Sequence, residues 1–323
     1  MTVFSRVCRP LRHTGVFLVA VPLLLTGCSR SGEGEEGSAA AENSVPDVSA
    51  TPVLQSANDK PLPLDAYLLT GDQLEALTKA QSSLVSQCMK RFGLTYSLPS
   101  VTAQPNDEGP KTRIDGRYGP QDAQRAAQWG YHPEGGAPKG DGVPWGKPGG
   151  QETPEAMTAL RGTSDKAKKY GPGGQEINGR KVPDHGCLGE AAKTLTGKAD
   201  GSIGDHQLAI DLKFQTLERS RQDERTQAVF RKWSACMKER GFSYKDPLDA
   251  LGDKAWSKTP MPTQREIQVA TADSECRKEH NVVGVWYAVD YAYQKQAVDE
   301  NAEVLDSVGK NIEARMKAAD QAS

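Results

Sequence analysis

Asp184-His185-Gly186-Cys187 is the place where this chain sets a thiol beside an imidazole. A neighbouring imidazole can hold cysteine as thiolate, the nucleophile of acyl-transfer chemistry, so a cell-wall hydrolase or transferase would draw on Asp184, His185 and Cys187. No nucleophile motif surrounds them, and Cys187 belongs to an even set of cysteines that favours a structural bond. Metal ligation has less to work with. His132, His185, His206 and His280 are widely separated, with no His-Glu-x-x-His and no Cys-x-x-Cys, and they read as exposed or capping residues. Ser307 and Lys310 match Ser-x-x-Lys by letter but lack the companion Ser-Asp-Asn and Lys-Thr-Gly and any α/β surround. There is no Walker loop, and Gly171-Pro172-Gly173-Gly174 reads as a plain loop. No catalytic residue, metal or cofactor is expected.

Aromatic rings offer a different chemistry. Trp129, Tyr131, Trp145 and Tyr170 lie among glycines in the stretch 101–186. Rings on glycine-rich loops can stack on the sugar faces of a wall polymer or grip a partner, and they can equally plug a small core under the loops. These four are the candidate binding residues. Trp286 and Tyr293, seven apart with valines between, read as core. The charged run 218–225 reads as a solvated helix face.

The N-terminus addresses the chain. Arg6, Arg9 and Arg12 precede a short apolar run that ends in Leu25-Thr26-Gly27-Cys28, a lipobox-like sequence. Residues 1–27 are expected to be a lipoprotein signal peptide, with Cys28 the lipid anchor and first mature residue. No later apolar run approaches the roughly 20 residues of a membrane span. Export removes three of 40 basic residues and none of 42 acids, leaving 37 against 42, a net −5. That balance argues against nucleic acid and against a polybasic lipid contact. Residues 28–62, rich in Gly, Ser, Ala, Glu and Pro in their first part, read as a lipidated flexible tether.

Beyond the tether the pattern is mostly α. Helices are expected over 72–92, with Asp72 and Glu75 as capping box; over 120–129; over 154–160, between Thr153 and Gly162; and from 187 to 195. Residues 205–240 read as one long helix, 247–256 as a turn or two, and 263–280 as a helix opened by Thr263 and Glu266 as capping box. A final long helix is expected from 282 to 319, with Val282, Trp286, Val289, Tyr293, Val304, Val308 and Ile312 near a 3.5-residue period. The stretch 101–186 holds 17 of the 32 glycines and 10 of the 20 prolines, so regular structure cannot run through it unbroken.

One pattern organises all of this. Cys88, Met89, Lys90, Gly93, Tyr96 and Pro99 recur as Cys236, Met237, Lys238, Gly241, Tyr244 and Pro247, at a constant offset of 148 residues. Two related halves follow: 63–200, carrying the loop-rich insertion 101–186, and 201–323, ending in the long helix. In each copy the Gly suits the left-handed position after a helix, and Tyr and Pro mark an extended exit. Four cysteines remain in the mature chain, and an even set in an exported protein implies two disulfides. Three pairings are open; the repeat favours Cys88–Cys187 and Cys236–Cys276. The fold class is a disulfide-stapled, mostly α bundle of two related halves.

The lipobox, the doubled Cys-Met-Lys-x-x-Gly-x-x-Tyr-x-x-Pro, Arg117-Tyr118-Gly119, and Cys276 followed by Val283-Gly284-Val285-Trp286 together resemble a family of uncharacterised actinobacterial secreted lipoproteins. The resemblance spans most of the mature chain. It implies an address and a two-disulfide layout, and no activity. The expected function is a membrane-anchored, extracytoplasmic binding or accessory module, with a transporter, a wall-synthesis complex or cell-wall glycan as partner. The alternatives are the wall hydrolase or transferase above and a small-solute binding protein. The last is disfavoured because such proteins are usually built from two α/β lobes, and strand–helix alternation is absent.

Overall fold

The computed structural model describes residues 45–54, 57, 60–97, 117–136, 149–150, 153–202 and 207–322. The segment 1–27, Cys28, the tether up to residue 44, and Trp145 lie outside them. Among the described residues the protein is mostly helical, and no helix is long and apolar enough to cross a membrane.

After a single 3-10 turn (Pro63–Tyr67), α1 runs Gly71–Arg91. Its cap lies two residues earlier than the sequence suggested. Thr70 accepts from the Gln73 amide and the Gln73 side chain returns to Thr70, so Asp72 and Glu75 are not the box. Helices α2 (Ala123–Trp129) and α3 (Pro154–Arg161) start on Asp122 and Thr153 and end at Gly130 and Gly162. Helix α4 is Gly186–Thr196. Two-residue antiparallel pairs, β1 (Tyr96–Ser97) with β2 (Gly149–Gly150) and β3 (Glu176–Ile177) with β4 (Arg180–Lys181), are the strands among the described residues.

Two helices expected to be single are each broken. The first gives α5 (Gln207–Gln222) and α6 (Glu224–Glu239), separated by Asp223, whose extended backbone lets its carboxylate cap the Arg225 amide. Helices α7 (Pro247–Leu251) and α8 (Gln264–Glu279) follow. The second break gives α9 (Val282–Glu300) and α10 (Ala302–Ala322), with Asn301 between them. Beyond that break the heptad-like register shifts. Val304 is exposed, and Leu305 is the buried residue instead.

The two copies of the repeated motif end their helices identically. Leu94 donates to the Met89 carbonyl (3.1 Å) and Phe242 to the Met237 carbonyl (2.9 Å), closing a six-residue wrap around Gly93 and Gly241 at φ +73° and +86°. The disulfides are Cys88–Cys187 and Cys236–Cys276, with Cα atoms 5.6 and 5.8 Å apart. Each sits inside its own apolar cluster. One joins α1, α3 and α4 through Val85, Met89, Phe92, Leu160 and Ala191. The larger joins α6, α8 and α9 through Phe230, Trp233, Met237, Val269 and Trp286.

The halves are interleaved. The last helix, α10, returns to pack on α1 and α4, burying Ala319 against Leu77, Ala80 and Leu195. In the other direction Tyr118, from the insertion of the first half, is fully buried in the cluster of the second.

Candidate functional site

Residues 117–136 dock on α8 and α9 through charged side chains that are almost wholly buried. Asp290, on the same face of α9 as Trp286, is fully buried and accepts from Arg117 Nε (2.6 Å), Arg117 Nη2 (3.0 Å) and the Tyr118 hydroxyl (2.6 Å). Arg117 Nη2 also reaches the Lys213 carbonyl at 2.7 Å. One helix over, Asp273 accepts from Arg277 Nε (2.6 Å), Trp233 Nε1 (2.9 Å) and the Tyr131 hydroxyl (3.0 Å). Arg277 spends its remaining donors on the carbonyls of Tyr118 and Pro247. Pro247 belongs to the repeated motif, so this guanidinium ties the motif's exit to the insertion.

The third buried acid is Glu266. Its sequence position, three after the cap Thr263, predicted a side chain folded back on the helix start. Thr263 does accept from the Glu266 amide (3.2 Å), but the carboxylate turns away. Glu266 Oε1 accepts from the amides of Tyr131 (2.9 Å) and His132 (3.1 Å) and lies 2.7 Å from His132 Nδ1. His132 Nε2 faces the Thr259 carbonyl at 2.9 Å. Both ring nitrogens therefore meet acceptors, an arrangement that suits the imidazolium. Burial acts to lower the His132 pKa, but the hydrogen bonds to Glu266 and Thr259 outweigh it, and the net direction is upward.

These carboxylates bind chain, not substrate. The candidate aromatics are likewise dispersed. Tyr131 is turned inward, its hydroxyl on Asp273 and its ring stacked on Trp256 at 5.7 Å, and burial raises its pKa. Tyr170 lies against His185 at 5.2 Å, beside the other disulfide cluster. Trp129, at the end of α2, is half-buried. No shared surface gathers these three. Cys187 is in a disulfide, and His185 Nδ1 sits 2.8 Å from Asp184, so that triplet holds no thiolate. Cys236, Glu279 and His280 converge, but the Cys236 sulfur is bonded to Cys276. Ser307 bonds back to the Glu303 carbonyl and Lys310 to Asp306, so the Ser-x-x-Lys letters are a helix surface.

The surface feature with the shape of a site is one the sequence reading did not single out. Residues 45–54 form an extended strap across the start of α9. Asn281, in left-handed backbone at φ +49°, grips it with both ends of its amide: Nδ2 donates to the Pro52 carbonyl (2.9 Å) and Oδ1 accepts from the Leu54 amide (3.0 Å). Arg225 Nη1 donates to the Pro46 carbonyl at 2.9 Å. A methyl group at Gly284 would collide with the Pro52 carbonyl, which is what the glycine of Val283-Gly284-Val285-Trp286 is for. Between strap and helix lies a cavity of about 330 Å³, walled by Asp47, Ser49, Tyr287, Tyr291 and Lys295.

In comparison with known proteins, no family model matches the chain, and no curated protein or solved structure is significantly similar to it.

Proposed function

We propose that this chain is an exported lipoprotein, anchored through Cys28 at the outer face of the cell membrane, that serves the envelope as a binding or accessory module rather than as a catalyst. The observation that carries this reading is the pair of core disulfides, one in each half. Structural disulfides persist where thiols are oxidised, outside the cytoplasm, and this supports reading residues 1–27 as an export signal. The same bonds occupy every cysteine downstream of Cys28, which weighs against thiol catalysis. The buried acids Asp273 and Asp290 each accept at least three hydrogen bonds from the protein itself. Such groups fix a shape, and a fixed shape with an exposed groove suits capture of a partner. The resemblance to actinobacterial lipoproteins agrees with the address, and a transporter, a wall-synthesis complex or wall polymer would be within reach of it.

The test joins address to activity. Cells fed an alkyne fatty acid should label the wild-type protein and not Cys28→Ala, and mild crosslinking in membranes followed by capture should retain a defined envelope complex or wall polymer. Label persisting in Cys28→Ala, or free thiols in freshly isolated protein, would overturn the address. Cleavage of purified wall material would overturn the non-catalytic half of the reading.

A further inference from the structure

We propose that the groove on α9 is a receptor for an extended, proline-containing segment of a partner protein, and that the strap 45–54 is a ligand the chain supplies to itself. The inference rests on the binding-module reading and names its contact surface.

The strap's own seating defines the chemistry. Its polar contacts with the body are made by main-chain groups, the carbonyls of Pro46 and Pro52 and the amide of Leu54. Any extended chain offers those groups at that spacing. Proline at two of the positions restricts the backbone before binding, which lowers the ordering cost. Side-chain identity enters at few places. Leu54 packs at the edge of the main cluster, and Asp47 lines the cavity next to Pro46, whose carbonyl accepts from the Arg225 guanidinium. Val45 and Val53 point outward, 67% and 87% exposed, while Pro46, Val48, Pro52 and Leu54 are half-buried, so only alternate parts of the strap bury apolar surface.

The receptor face is built for a main chain. Asn281 accepts and donates across one residue of the strap, the pairing a neighbouring strand would otherwise provide. Gly284 clears room for the Pro52 carbonyl. Tyr287 and Tyr291, one turn apart with ring centres at 6.0 Å, flank the path, as aromatic residues do in grooves that take proline-rich segments. The strap leaves the cavity beside these rings unfilled. Three hydrogen bonds of modest net worth and the half-burial of Leu54 hold it, so a partner's segment that makes the same contacts and also fills the cavity can displace it.

The occupant is therefore an extended segment with prolines spaced as Pro46 and Pro52 and an acid after the first. The test uses the mature full chain with residues 45–54 replaced by a Gly/Ser sequence, and a fluorescent peptide of sequence Val-Pro-Asp-Val-Ser-Ala-Thr-Pro-Val-Leu. Saturable binding to this vacated chain is expected, at least about tenfold tighter than to the intact chain, whose own strap competes at high effective concentration. Asn281→Ala in the vacated chain should weaken binding about tenfold, the worth of two modest hydrogen bonds. A second peptide keeping only the prolines, the acid and the terminal leucine should bind within about threefold of the first, since the polar contacts are main-chain. Absence of saturable binding to a vacated chain that circular dichroism shows to be folded would overturn the proposal. So would binding of the native sequence alone, which would make the strap a private latch. If the vacated chain binds no peptide yet still captures its partner in membranes, the groove is refuted and the binding-module reading stands; loss of both would remove both.

Discussion

Asp290→Ala is the most direct test of the idea that the insertion is locked down by buried charge. The Arg117 and Asp290 side chains are 3% and 0% exposed, and the acid accepts two bonds from Arg117 and one from Tyr118. Alanine removes the acceptor and leaves a guanidinium buried with the Lys213 carbonyl and Thr216 hydroxyl as its remaining contacts. Breaking such a pair from one side costs about 3–5 kcal/mol. In a chain of this size each kcal/mol is worth ~2–4 °C, so the melting temperature should fall by about 6–20 °C. Urea unfolding followed by circular dichroism measures the free energy, and hydrogen exchange at 117–119 reports whether the segment lifts. Asp290→Asn, which keeps an acceptor for Tyr118, should lose less. Replacing both partners, Arg117→Met with Asp290→Leu, should recover much of the loss, because apolar side chains of similar volume carry no uncompensated charge. A loss below about 1 kcal/mol in Asp290→Ala, or a double variant as unstable as the two single losses summed, would refute the reasoning.

The remaining predictions touch other parts of the same scaffold. The His132 pKa is raised in the folded state, so the stability from its pairing with Glu266 is full below about pH 6.5 and is lost as pH climbs through the raised value; Glu266→Gln should flatten this decline in urea midpoints taken between pH 5 and 9. Cys88→Ser with Cys187→Ser opens a 99-residue loop and Cys236→Ser with Cys276→Ser a 40-residue loop, so losses of about 4–5 and about 4 kcal/mol are expected by loop entropy, and urea midpoints of the two variants should fall in that order. Asp223→Ala removes the cap of α6 and the acceptor of the Tyr293 hydroxyl, at a cost of about 2 kcal/mol. Asp223→Asn should restore most of that by the same assay. Burial alone would raise the Asp223 pKa, but the bonds from Arg225 and Tyr293 hold it below the usual value. Its contribution is therefore present above about pH 3.9 and fades as pH falls through the lowered value.

What was legible in the sequence, and what was not, divides along physical lines. Helix ends written in one local signal came through: Thr153 before Pro154, Gly162 after it, and the doubled Gly93 and Gly241. The disulfides followed from the repeat, because each half joins its Cys-Met-Lys helix to the next cysteine-bearing helix, although the loops closed span 99 and 40 residues. The two broken helices did not come through. Nothing in the apolar pattern marks a stop at Asp223 or Asn301; at Asp223 the local cap on the Arg225 amide is joined by a bond from Tyr293 on another helix, and the two together favour the break. Glu266 shows the same limit from the other side. Its spacing from Thr263 satisfies the capping rule, yet a histidine 134 residues away in sequence outcompetes the local amide for its carboxylate.

The groove under the strap was hidden in the sequence for a related reason. Rings on glycine-rich loops are where binding residues are often found, yet the structure turns Tyr131 inward and leaves Tyr170 and Trp129 apart. A better signal was present in Asn281-Val282-Val283-Gly284. An asparagine just before a helix looks like an ordinary cap, but Asn281 makes no cap bond and holds the strap instead. A glycine early in an apolar helix costs up to about 1 kcal/mol relative to alanine, and here the Pro52 carbonyl occupies the space a side chain would need. Likewise Asp290, a lone acid at core spacing in an otherwise apolar face, marked the docking point of Arg117-Tyr118-Gly119. In each case the residue is locally unfavourable, and its compensation lies in a segment far along the chain. Residues of that kind, more than those with reactive side chains, are where this protein's sequence encodes its contacts.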